Sequence, residues 1–82
     1  MARPKMYYKC TEQLLQERGN RTRKAYRLNV LDVSEGGNRA RLLCTVNDVC
    51  SSESQARQLE ALLYRNQVAP KHILDVLENW LP

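Results

Sequence analysis

The spacing of apolar side chains changes once along this chain, and that change limits the available folds more than any other feature. Up to about residue 50 apolar residues recur at every second position, the repeat of a strand with one buried face; from Ser52 onward they recur about once per helical turn. Strands followed by helices predict an α+β domain in the order β-β-β-α-α, a three-stranded antiparallel meander packed against a C-terminal αα-hairpin. At 82 residues there is room for one core, so residues 1–82 read as a single domain and residues 1–5 as a flexible basic start.

The clearest strand carries Tyr26, Leu28 and Val30 in alternation with Arg27 and Asn29. Leu31 and Val33 then fall on the opposite parity, which predicts a bulge or an end near Leu31. A later segment places Ala40, Leu42, Cys44 and Val46 on one face, with Leu43 as the exception. Gly19-Asn20 and Gly36-Gly37-Asn38 supply the residues that hairpin turns need, and the second of them joins these two strands. Residues 6–17 are ambiguous. Thr11 could cap a helix ending at Gly19, whereas the aromatic start Met6-Tyr7-Tyr8 and the gain from a third strand favour a strand, which is the reading adopted.

Ser52 with Gln55 forms a candidate capping box, and Ala56, Leu59, Leu62 and Leu63 make one stripe of a helix ending near Asn66. Pro70 suits a first helical position, so a second helix is expected from about Lys71. Ile73, Val76, Leu77 and Trp80 form its stripe, widened by Leu74 and Leu81, with Trp80 as the expected largest core anchor. The short connector predicts that the two helices lie side by side over one sheet face.

Several of these residues also resemble a known family. Tyr7-Tyr8, the Tyr26-x-Leu28-x-Val30 strand, Asp48-Val49-Cys50-Ser51 before a helix, and above all Val68-Ala69-Pro70-Lys71-His72-Ile73-Leu74-Asp75-Val76-Leu77-Glu78-Asn79-Trp80-Leu81 resemble a family of small clostridial (Firmicutes) proteins of unknown function. The resemblance covers most of the chain. Its pattern has Ser before the Pro where this chain has Ala69, which lacks a capping oxygen. It implies the β-β-β-α-α fold and no activity.

Nothing in the residues points to catalysis. His72 is the single histidine and is expected at the solvent margin of the last helix, far in sequence from Cys10, Cys44 and Cys50. Cys44 reads as a small hydrophobe, while Cys50, just before a helix N-terminus, is the one thiol with a reason to ionise. The three cysteines and His72 lack the close paired spacing of ordinary zinc sites, and Asp75 with Glu78 reads as a solvated pair. Gly36-Gly37 is too short to cradle phosphate. No catalytic residue, metal, cofactor or small-molecule substrate is therefore expected. Without a signal stretch or an apolar run long enough to span a bilayer, and with an odd number of cysteines, the expectation is a cytoplasmic protein that does not engage membranes.

Charge is the remaining organised feature. Residues 1–41 hold ten Lys and Arg against four acids, and residues 42–82 hold three against five. Two binding readings follow. The first is a protein-interaction or regulatory module, self-association included, because two helices cover one sheet face and Leu31, Val33 and Leu43 fall on the other. The second is nucleic-acid binding through the Arg18 to Arg27 loop, with Arg21, Arg23, Lys24 and Arg27 foremost, plus Arg3, Lys5, Lys9, Arg39 and Arg41, and with Tyr7 or Tyr8 to stack on an unpaired base. The bland reading of those basic residues is a solvated turn that discourages edge pairing. No recognition helix or aromatic ribonucleoprotein motif accompanies them, so a protein partner is placed first.

Overall fold

In this computed structural model, which describes residues 5–33 and 40–80, strands β1 (Met6–Gln16), β2 (Thr22–Asp32) and β3 (Arg41–Cys50) precede helix α1 (Glu53–Asn66), a 3-10 turn (Pro70–His72) and helix α2 (Ile73–Trp80). The strands form one antiparallel sheet in the order β1-β2-β3, so the expected α+β arrangement is present. β1 is a strand and not a helix because it pairs with β2 over its whole length, from Met6 opposite Asp32 to Gln16 opposite Thr22. Gly19, at φ 77°, makes the turn between them in the left-handed region that glycine enters without a Cβ penalty. The Gly36-Gly37 turn lies outside the described residues.

One sheet face is buried. Tyr8 and Cys10 of β1 and Tyr26, Leu28 and Val30 of β2 meet Ala56, Leu59 and Leu63 of α1 and Ile73 and Leu77 of α2. Ser52 starts α1 as expected: its hydroxyl accepts from the Gln55 N–H at 3.2 Å. Pro70 opens a 3-10 turn and not the α-helix itself. Ala69 makes no side-chain cap there, and regular helix begins at Ile73. Trp80 is not the main anchor. It is half-buried at the rim, while Ile73 (1% exposed) and Leu77 (5%) do the anchoring, because α2 is only eight residues long and Trp80 ends it.

β3 departs furthest from a simple alternation. The register shifts after Val30, as the parity change predicts, and Leu31 pairs with Leu42. That shift moves Leu42 off the buried face, leaving it 56% exposed while Cys44 and Val46 stay half-buried. A second shift sets the single residue Arg27 of β2 against Asn47, Asp48 and Val49 of β3. Asp48 takes the extra length at φ 57°, a conformation that Asp tolerates better than most residues, and the strand re-enters the core with Val49 and Cys50. Sequence spacing had left those two residues in the lead-in to the helix.

Helix α1 also closes the outer edge of the sheet. The outward backbone N–H of Cys10 donates to Glu60 Oε2, and those of Lys5 and Met6 donate to Gln67 Oε1 at 3.0 and 2.9 Å. Gln67 sits at the left-handed C-cap of α1 (φ 45°), and its Nε2 returns bonds to the carbonyls of Met6 and Tyr64. Tyr8 adds a hydrogen bond from its hydroxyl to the Val68 carbonyl at 2.6 Å. Leu28→Ala, at a fully buried position, is expected to cost about 2–5 kcal/mol in urea unfolding. Gln67→Gly keeps the left-handed backbone but removes the edge clamp, and a loss of about 1–3 kcal/mol in the same measurement is expected.

Candidate functional site

Both helices lie on one side of the sheet, so the side chains of opposite parity face outward without a covering layer among the described residues. In β1 these are Tyr7, Lys9, Thr11, Gln13 and Leu15, and in β2 Arg23, Ala25, Arg27, Asn29 and Leu31. Their arrangement follows from the register. The middle of the face is a polar ladder across all three strands: Asn29 Nδ2 donates to Thr11 Oγ1 at 3.2 Å, Thr45 Oγ1 donates to Asn29 Oδ1 at 3.3 Å, and Arg27 Nε donates to Asn47 Oδ1 at 2.9 Å. One end is apolar, where Tyr7, Leu31 and Leu42 are cross-strand neighbours. Tyr7 continues that row around the edge, its ring meeting Tyr64 of α1 edge to face at 6.1 Å.

The other end is closed by a strap. Arg23 grips both carboxylate oxygens of Asp48 at 3.0 and 2.9 Å and also Glu17 at 2.8 Å, while the Asp48 N–H donates to Gln13 Oε1. Beneath that strap Ala25 is fully buried although it points away from the core. Hydrogen bonding from Arg23 holds the Asp48 carboxyl below its usual range.

The four basic residues singled out from the sequence therefore divide. Arg23 is committed to two carboxylates, and Lys24 lies on the opposite parity beside Glu12 at 3.3 Å. Arg27 lies on the open face beside Lys9, and Arg21 is exposed at the hairpin tip. Lys9, Arg21 and Arg27 have no carboxylate partner among the described residues, and Lys5 continues their parity at the other end of β1. The acids of the same parity, Glu17 and Asp48, are both taken up by Arg23. Of the two tyrosines considered for stacking, Tyr8 is 2% exposed in the core, leaving Tyr7 at 46%. Tyr64, at 43%, stands outside the apolar stripe of α1, and its contact with Tyr7 brings it to this surface.

On the helical side, an open groove of about 410 Å³ runs between Leu62, Asn66, Val68, Val76, Asn79 and Trp80, with no titratable group in its lining. His72 is exposed, with Asp75 at 4.0 Å, and no group of three or more potential metal ligands occurs among the described residues. No helix among the described residues is long and apolar enough to cross a membrane.

Compared with known families, residues 2–82 match the model of a family of unknown function, DUF6514, and the chain belongs to that family. Neither the curated proteins nor the solved structures gave a match.

The three thiols are free, and their environment argues against ionisation. Burial pushes Cys10 up to about 12, with the Glu60 carboxylate adding to the effect. Burial raises Cys50 as well, outweighing the lowering effect of a backbone hydrogen bond at Ser52. Because folded Cys10 holds a proton that the unfolded chain releases near pH 9, its stabilising contribution is complete below about pH 9 and is lost as pH rises to about 12. Urea midpoints are expected to fall across that window, and to fall less steeply in Cys10→Ala.

Proposed function

We propose that this member of the DUF6514 family is a non-enzymatic binding module whose uncovered sheet face docks nucleic acid through its phosphates. The observation that carries the reading is the sorting of charge. Lys5, Lys9, Arg21 and Arg27 share the open parity without carboxylate partners among the described residues, whereas α1 carries Glu53 and Glu60 against Arg57 and Arg65. A cationic, solvated face complements a polyanion in a way that a protein core-type interface does not. On the strength of this charge placement nucleic acid is proposed ahead of a protein partner, the reverse of the order set by composition and periodicity.

A protein partner is the second reading, supported by the apolar groove beside α2 and by Leu74, which is 63% exposed on the same helix. The two surfaces lie on opposite sides of the sheet, so occupancy of one does not preclude the other. A bacterial, clostridial and cytoplasmic setting fits both readings, since three free thiols suit a reducing compartment.

With about four phosphate contacts, binding of an oligonucleotide should weaken by about 50-fold for a single strand and about 150-fold for a duplex between about 50 and 200 mM salt. Filter binding measures this directly. Lys9→Glu with Arg27→Glu should lower affinity by roughly tenfold or more and reduce the salt slope by about 1 per residue replaced. Arg65→Glu with Lys71→Glu makes the same change in net charge on the helical side and should leave binding nearly intact. Equal losses in the two double variants would show that net charge alone, and not this face, governs retention.

A further inference from the structure

The geometry points to single-stranded nucleic acid as the occupant of the open sheet face, with bases on the apolar row and phosphates on the cations beside it. This rests on the polyanion reading above and adds to it the class of strand.

The register sets two unlike rows side by side. Tyr7, Leu31 and Leu42 are cross-strand neighbours, and one step along the sheet lie Lys9, Asn29 and Thr45, with Arg27 beyond. Successive residues on one face of a strand are about 7 Å apart, so a base resting on the first row keeps its phosphate within reach of Lys9 or Arg27. The Tyr7 and Tyr64 rings, at 78° to one another, enlarge the apolar row at the sheet edge and remain 46% and 43% exposed. Stacking on aromatic faces requires an unpaired base. A duplex keeps its base faces inside the stack, so it offers this row nothing and meets only the cations.

The β1–β2 hairpin is the competing element, since a two-stranded ribbon fits a major groove. Its cations are largely spent: Arg23 is held by Asp48 and Glu17, and Lys24 by Glu12, leaving Arg18 and Arg21 at the tip. The centre of the face is likewise committed. Asn29 bonds to the Lys9 carbonyl, Thr11 and Thr45, so few polar groups are free to read base edges. Discrimination among bases should accordingly be weak.

Fluorescence anisotropy with a labelled oligothymidylate and with a duplex of the same length tests the inference on the full chain. Tighter binding of the single strand by about tenfold or more is expected. Tyr7→Ala with Tyr64→Ala should weaken single-strand binding by about 5- to 150-fold per stacked base lost and leave the salt slope unchanged. Tyr7→Phe with Tyr64→Phe keeps both rings and should retain binding. Leu42→Ser, at a 56% exposed site in the same row, should likewise weaken single-strand binding with the salt slope unchanged. Equal or tighter binding of the duplex would overturn the single-strand inference and leave the polyanion reading standing. Undiminished single-strand binding by the alanine pair would do the same, whereas no binding of either nucleic acid at low salt would remove both.

Discussion

A strand at the rim of a sheet has backbone donors that need acceptors, and the way β1 meets that need shapes the rest of the molecule. The outward N–H groups of Met6 and Cys10, and that of Lys5 just before the strand, are taken by Gln67 and Glu60, two side chains of the α1 region seven residues apart. Two turns of helix are thereby fixed parallel to the strand edge, which presses Ala56, Leu59 and Leu63 onto the sheet. Glu60 is also held by Arg57 at 2.7 Å, so the acceptor that reaches Cys10 is itself anchored. Docking of the helix and protection of the edge are one event.

Because α1 leans over that edge and α2 fills the remaining space on the same side, the opposite sheet face has to be stable in water. It achieves this with hydrogen bonds among its own side chains. The Thr11, Asn29 and Thr45 ladder ties all three strands together without apolar cover, and the Arg23 strap shields Ala25. Apart from Leu15 near the strap, the apolar residues left on that face collect at one end, in the row next to Lys9. It is this juxtaposition, and not net charge, that gives the surface a direction.

The elements were legible from sequence where pattern and tertiary demand coincide. Tyr26, Leu28 and Val30 alternate because one face of a central strand is buried, and Ser52 caps because its hydroxyl meets a free helix donor. Misreadings arose where a long-range contact overrides the local pattern. Leu42 has the parity of a buried residue, yet the register shift where it pairs with Leu31 turns it outward, and the signal for that shift lies in β2 and not in the alternation of β3 itself. Trp80 has the right helical phase but too little helix beyond it to be covered. At the candidate site, the sequence identified a basic region but not its division. Whether Arg23 is spent on Asp48 and Lys24 on Glu12 depends on pairings up to 25 residues apart. Gln67 carried no signal at all, since nothing about a glutamine after a helix announces a clamp on residues 61 positions earlier.

The far half of the β1–β2 hairpin stands apart from this scheme. None of residues 14–24 is buried, and what holds them is the backbone ladder with surface ion pairs such as Lys24 to Glu12. Opening this stretch breaks the Arg23 strap and uncovers little apolar area beyond Ala25, so it can fray while Tyr8, Leu28 and the helices stay packed. Deuterium should consequently enter the hairpin tip by sub-global fluctuations, whereas the amides around Leu28 wait for the whole molecule to unfold.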